Sequence, residues 1–225
     1  MEKYAYVTLA TTESFLQGAK LLAYSLERVH SQYPLIILIT ENLAHLVDDE
    51  HMYRVIPYEQ FTPPKEITHR YVDTRNKLRA FDLVQYKRVL VIDADIFILE
   101  NIDWVFEKYP EEEFLCGIRN DGVKMFCGDR LMITPKAGQY DEFWRDPWNE
   151  NYPTDEQMLE HVYQDFFNKY DTFYFPGSAE IEHLSGYKKY WEYLNVYPEL
   201  LDEMSTAEII ELFQGWFAVQ PYIKK

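Results

Sequence analysis

Apolar positions along the first third of the chain follow two rhythms. Tyr4 to Leu9 reads as a strand that gives way at Ala10-Thr11-Thr12, and Phe15, Ala19, Leu22, Leu26 and Val29 then recur at helical spacing. Leu35 to Ile39 is a continuous apolar run of strand length, which suits a strand covered on both faces. Residues 57–73 carry Pro57, Pro63 and Pro64 among polar neighbours and read as a loop. Arg75 to Tyr86 returns to helical character and leads into a second buried strand, Val89 to Ile92. The alternation then loosens. Leu131 to Ile133 reads as a short strand, 136–146 and 154–168 as helices, and Ile181 to Leu184 as a last strand. Ser205 is placed to cap a terminal helix whose Ile209, Leu212, Phe213 and Trp216 form an apolar stripe. That stripe can pack on its own sheet or on a second copy of the chain.

Strands alternating with helices predict an α/β fold, a mixed, mostly parallel Rossmann-like sheet flanked by helices. In such folds ligands bind beyond the carboxyl ends of the strands, where Thr11-Thr12 and Asp93-Asp95 would both lie. Length does not argue for division: 225 residues fit one domain with a substantial core. An aromatic share of 17% gives the chain enough surface to bury to offset the entropy of ordering.

Charge narrows the partners. A formal net charge of -16 repels a nucleic-acid backbone, and no basic stripe is present to counter it. A small anion remains compatible if a cation neutralises it inside a cleft. Cys116 and Cys127, with no ligand-like spacing, argue against a disulfide framework or a cysteine zinc site. No apolar signal segment opens the chain and no run approaches membrane-spanning length, so a cytoplasmic protein with no membrane segment is expected.

The sharpest local feature is Asp93-Ala94-Asp95, two carboxylates set directly after four apolar residues. Carboxylate oxygens suit a hard cation such as Mn²⁺ or Mg²⁺, which bridges to phosphate, and Ala94 leaves room for a ligand. The competing reading has Asp93 capping a turn and Asp95 solvated. His183 closes a predicted strand three residues before Gly186. It fits either a metal ligand or a hydrogen-bonded structural histidine, while Gly186 would let backbone amides approach a phosphate. Lys77 and Lys189 could neutralise a diphosphate, or lie on solvated faces. Asp155-Glu156 begins a predicted helix, where the dipole favours acids, and either could instead face a sugar. Trp144, Trp148 and Trp191 fit core packing or stacking on a sugar ring.

In order, these segments resemble glycosyltransferase family 8, the glycogenin and galactinol-synthase-like enzymes of GT-A fold, over about residues 3–191. The resemblance is carried by Tyr6 to Thr12, by Asn76-Lys77-Leu78-Arg79-Ala80-Phe81, and by Tyr86 to Asp95 followed by Leu99-Glu100-Asn101-Ile102-Asp103. Its fourth part is the His183, Gly186, Lys189, Trp191 spacing. It implies one GT-A domain over 1–225, with 192–225 a carboxyl-terminal helical extension. It further implies that Leu9, Thr11 and Phe15 flank uracil, with Thr12 where asparagine is frequent. Asp93, Asp95 and His183 would bind Mn²⁺, Lys77 would contact the donor, and Gly186 and Lys189 the diphosphate. Ala94 lies within the same donor-binding stretch.

Two departures stand out. Glu156 replaces the glutamine of the family's Asp-Gln pair, in which Asp155 is the aspartate near the transferred sugar. Phe126-Cys127-Gly128-Asp129-Arg130 replaces a Phe-Asn-small-Gly-Val segment, and a register slip of one would bring Gly128 to the glycine position. Tyr190 stands where proline is usual.

The function so implied is Mn²⁺-dependent transfer of a hexosyl unit, glucose or galactose, from a UDP-sugar to a hydroxyl acceptor with retention of configuration. Asp155, Glu156 and Lys189 would carry the reaction. The acceptor class stays open among glycan, polyol and protein side chain, and a homodimer is compatible. Competing readings are a nucleotide-sugar-binding module impaired in transfer, and another metal-dependent nucleotide enzyme such as a nucleotidyltransferase. The loop 57–73 is expected to close over the donor, with Arg70 and Arg75 near phosphate or sugar.

Overall fold

Strand β1 (Glu2–Ala10) runs into helix α1 (Glu13–Arg28), with Thr12 as the cap between them. The Thr12 hydroxyl accepts from the Phe15 amide at 3.2 Å, satisfying one of the amides that a helix start leaves without an internal partner. At the far end His30 takes a left-handed φ of 54°. Its amide donates to the Glu27 carbonyl and the Ser31 amide to the Leu26 carbonyl, a Schellman ending built without glycine. The structure is a computed structural model, and it describes residues 2–47, 53–59, 72–108, 114–117, 127–145, 154–162, 181–183, 189–194 and 198–219.

Six strands form the main sheet. They are β1, β2 (Leu35–Thr40), β3 (Tyr53–Tyr58), β4 (Tyr86–Ile92), β6 (Phe114–Gly117) and β7 (Cys127–Ile133), in the order β3-β2-β1-β4-β7-β6. β3, β2, β1 and β4 pair in parallel, while β7 joins β4 antiparallel and β6 joins β7 antiparallel. The mixed, mostly parallel sheet expected from the sequence is therefore present. From β1 the chain winds outward to β2 and β3, then returns to β1's other edge as β4. The crevice beyond the carboxyl ends of β1 and β4 is thus the topological switch point.

Side chains alternate across the sheet. Tyr4, Tyr6, Ala10, Ile37, Ile39, Leu90 and Ile92 pack on one face against Leu16, Leu22 and Leu26 of α1. Val7, Ile36, Leu38, Val89, Val91 and Leu131 pack on the other, against Leu78, Phe81, Met158 and Leu159. Both faces are covered, which explains why β2 is buried at all six positions.

Three readings of the sequence change. The span read as a loop from residue 57 begins inside β3, where Pro57 pairs with Ile39; β3 is an edge strand, and an edge tolerates proline's missing amide. The helical stretch before β4 is a 3₁₀ segment (Val72–Asp82), and Tyr86 already belongs to β4. The last strand, β8 (Ile181–His183), lies outside the main sheet and pairs antiparallel with β5 (Ile96–Ile98). Residues 60–71, with Arg70, and 163–168 and Leu184 lie outside the described residues.

Beyond the short α2 (Val105–Lys108) come α3 (Gln139–Arg145), α4 (Asp155–Val162), α5 (Tyr190–Leu194), α6 (Pro198–Asp202) and α7 (Thr206–Val219). Ile209 and Phe213 of α7 bury against Tyr190, Trp191, Phe97 and the Leu21–Tyr24 side of α1, so these two residues pack on their own chain. Arg28 ties the same segment down by donating to the carbonyls of Leu201 and Met204. No helix among the described residues is long and apolar enough to cross a membrane.

Candidate active site

The parallel pairing of β1 with β4 brings the two loops that leave those strands to one edge of the sheet. After Ile92 the chain turns at once. The Asp93 amide donates to the Asp129 carbonyl at 3.1 Å, and the Asp93 carbonyl accepts from the Ile96 amide, so both ends of Asp93-Ala94-Asp95 are anchored. β5 continues from this turn as a buried strand, and its ladder with β8 sets the His183 backbone opposite Ile96, one residue past Asp95. The His183 side chain and Gly186 lie outside the described part.

Each carboxylate of the pair meets a lysine. Lys77 Nζ lies 2.5 Å from Asp93 Oδ1 and 3.6 Å from Asp155 Oδ2, and donates to the Gly128 carbonyl at 2.9 Å. Lys189 Nζ lies 2.5 Å from Asp95 Oδ2 and 5.2 Å from the centre of the Phe15 ring. The two lysines that the sequence singled out separately thus converge on the two aspartates. Leu9, Thr11 and Phe15 are partly exposed where β1 ends and α1 begins. Thr12 is exposed, with its hydroxyl used in the cap of α1.

α4 supplies the second acidic pair. Thr154 caps it, its hydroxyl accepting from the Gln157 amide and its carbonyl from the Met158 amide, so Asp155 and Glu156 sit in the first turn. Asp155 is buried. Its Oδ1 accepts from the Thr74 hydroxyl at 2.5 Å, and its Oδ2 has no hydrogen-bond partner among the described residues. Glu156 Oε1 accepts from the Gly128 amide at 2.8 Å. A Cβ on Gly128 would stand 2.8 Å from Asp155 Oδ2 and 2.9 Å from Glu156 Cγ, so a larger residue between β7 and α4 would displace these side chains.

Acids crowd one another here, Asp155, Asp95 and Asp129 buried and Asp93 and Glu156 half-buried. Burial pushes the Asp93 carboxyl up to about 6, with Asp95 and Asp129 adding to the rise against the opposing pull of Lys77. Burial works against the Lys77 charge, but Asp93 and Asp155 outweigh it and hold the ammonium above its ordinary range. Burial raises Glu156 as well, partly offset by the Gly128 amide. Arg75, fully buried, is held down to about 10 by burial, against the fields of Tyr140 and Asp155. In this arrangement it does not reach the crevice surface.

No three His, Cys, Asp or Glu side chains among the described residues are grouped as a metal site. Asp93 and Asp95 carry oxygens of the kind a hard divalent cation takes, and in this structure each is paired with a lysine. The spacing and charge of Asp93-Asp95 announced this group in the sequence. Thr74 and Asp129 did not announce themselves, because both act through residues distant in the chain. Gly18 did leave a signal, as a glycine inside a helix. A Cβ there would lie 2.4 Å from Trp191 Cη2 and 2.8 Å from the Ala94 carbonyl. Trp191 packs in the core with its indole donating to Ser14 Oγ at 3.1 Å, as the packing reading holds. Trp148 and the side chain of Trp144 lie outside the described part.

No protein-family model matches the chain. In sequence it is similar to galactinol synthase 2 of Arabidopsis thaliana, 34% identical over 123 residues that make up 50% of this chain and 36% of that protein. It is similar also to glycogenin-2 of Homo sapiens, 30% identical over 119 residues, 46% of this chain and 23% of that protein. The match thus spans well under two thirds of either relative. In fold it is similar to the galactosyltransferase LgtC, solved in complex with donor and acceptor sugar analogs. That likeness has a TM-score of 0.61 at 15% identity and covers 94% of this chain and 95% of the other.

Proposed function

We propose that this chain, which resembles glycosyltransferase family 8 in sequence and has the GT-A fold, transfers a hexosyl unit from a UDP-sugar to a hydroxyl acceptor, with Mn²⁺ as cofactor and with retention at the anomeric carbon. The observation that supports this most is the meeting of Asp93, Asp95, Lys77, Lys189 and Asp155 at the switch point between β1 and β4. An anionic diphosphate needs cations, and a hard cation needs carboxylate oxygens. Both sets are built there. The whole chain acts as one GT-A unit, with residues 192–225 as an extension whose helix braces α1.

Asp93, Asp95 and His183 would hold Mn²⁺, which when bound supplies Lewis-acid stabilisation of the departing UDP. Leu9, Thr11 and Phe15 flank the base, and Thr12 fixes the start of α1 beside it. Lys77 binds the donor from beneath and keeps Asp93 and Asp155 compatible with each other. Lys189 moves its charge between Asp95 and the diphosphate, which Gly186 would also contact. Asp155 and Glu156 orient the sugar as hydrogen-bond acceptors. The acceptor hydroxyl belongs to a glycan, a polyol or a protein side chain.

Thermal melts and UDP-release assays with UDP-glucose and UDP-galactose, each with and without Mn²⁺, test the reading. A Mn²⁺-dependent rise in melting temperature together with UDP release supports it. Binding without release assigns a nucleotide-sugar-binding module instead, and release of pyrophosphate a nucleotidyltransferase. If no UDP-sugar moves the melting temperature, the reading fails. Asp95→Ala is expected to abolish the Mn²⁺-dependent shift while the chain still melts cooperatively.

A further inference from the structure

Thr74 and Asp155 hold each other twice. The Thr74 hydroxyl donates to Asp155 Oδ1 at 2.5 Å, and the same oxygen accepts from the Asp155 amide at 3.4 Å. With the amide on one of its two lone pairs, the Thr74 hydroxyl keeps its proton on Oδ1 and so restrains the turn of the Asp155 carboxylate. That setting leaves Oδ2 buried with no hydrogen-bond partner among the described residues. A buried acceptor in that state is costly, and here it stands 3.6 Å from Lys77 Nζ and next to the bare Cα of Gly128. Lys77 is turned toward Asp93 and the Gly128 carbonyl, so its charge compensates Oδ2 without completing a hydrogen bond.

From this geometry we propose that Thr74 is a positioning residue. It locks Asp155 so that Oδ2 is presented as the hydrogen-bond acceptor for a hydroxyl of the donor's hexosyl group. The proposal rests on the reading of the site as a UDP-sugar site and adds to it a residue from the 3₁₀ segment before β4. Thr74 touches no ligand itself. Without its hydroxyl, the Asp155 carboxylate can turn toward Lys77 and satisfy itself there, and the sugar loses its acceptor while the nucleotide keeps all of its contacts. The 3₁₀ segment thereby carries two adjustments to the same acid: Thr74 on one oxygen and Lys77 near the other.

Calorimetric titration of wild type, Thr74→Val, Thr74→Ala and Thr74→Ser with UDP and with a UDP-hexose, all with Mn²⁺, tests it. Affinity for UDP is expected to stay within about twofold in all four, since a hydroxyl remote from the nucleotide contributes little to it. Affinity for the UDP-hexose is expected to fall roughly tenfold in the valine and alanine variants, the loss of one hydrogen bond to a charged group, and to recover in the serine variant. Equal losses for both ligands mean a structural role and overturn the proposal. So does an unchanged affinity for the UDP-hexose, or a serine variant no better than alanine. Wild type that binds neither ligand overturns the UDP-sugar reading, and this one with it. Alanine removes the hydroxyl without the branched bulk of valine and preserves the comparison if the valine variant does not fold.

Discussion

Lys77 and Asp93 meet at 2.5 Å in the switch-point crevice, and the same ammonium stands 3.6 Å from Asp155. One cation therefore separates two acids that arrive from different elements, β4 and α4. Removing it leaves two carboxylates facing each other with little access to water. Lys77→Met is expected to cost about 3 kcal/mol, in the range found when one member of a buried ion pair is deleted. For a chain of this size that is a fall in melting temperature on the order of 10 °C. Scanning calorimetry reads it. Added Mn²⁺ should restore more stability to this variant than to wild type, because a bound cation replaces the missing charge.

Asp93 carries a pH dependence of definite sign. Its carboxyl rises from 3.8 to about 6 on folding. Between those values the folded chain keeps a proton that the unfolded chain has released, so ionising Asp93 lowers stability as pH rises, and the loss is complete above about 6. Asp93→Asn escapes this. Relative to wild type it should gain on the order of 1 kcal/mol between pH 5 and pH 7.5 in denaturant melts. A stability gap that does not change with pH would count against the raised carboxyl. The same variant should lose Mn²⁺-dependent donor binding.

Gly18 reverses the usual rule for helices. Replacing a mid-helix glycine with alanine ordinarily stabilises by up to about 1 kcal/mol. Here the new methyl would stand 2.4 Å from Trp191 and 2.8 Å from the Ala94 carbonyl. Gly18→Ala is expected to destabilise by about 1–3 kcal/mol, the range for overpacked cores, and to shift Trp191 fluorescence. A stabilised variant would show that the indole yields freely.

At Gly128 the obstacle is the site itself. A methyl there presses on Asp155 Oδ2 and Glu156 Cγ, both in the first turn of α4. Gly128→Ala is expected to lower transfer by at least tenfold through displacement of these acids, with a smaller effect on UDP binding. Steady-state kinetics alongside UDP titration separates the two.

The parts of the fold legible in the sequence are those with a long local signal. β1, β2 and β4 are apolar runs closed by turn residues, and α1 repeats its apolar positions over several turns. β8 is legible as a strand from Ile181, but β5 has three residues, too few to show a period, and the pairing of the two depends on chain segments far apart. β3 was obscured by Pro57, whose missing amide matters little at an edge. In the site, Asp93 and Asp95 were legible because acids rarely follow four buried residues. That Lys77 pairs with Asp93 and Lys189 with Asp95 was not, since each lysine alone looks like any solvated one. Thr74 left no local trace, because its partner is 81 positions away.

That distance is typical of the site, and it bears on when the site forms. Lys189 and Asp95 are 94 positions apart, and Trp191 reaches back 177 positions to Ser14. The amino-terminal β-α-β units close mostly local loops and can order early, whereas these contacts require closure of very long ones, which slows folding. A chain emerging from the ribosome would carry Asp95 without the counter-charge of Lys189 until the 94 positions between them had been made. The proposed donor site is in this sense a late product of folding. Carboxyl-terminal truncations that stop short of Lys189 should leave a partly folded amino-terminal half in which Asp95 lacks its lysine while Asp93 keeps Lys77.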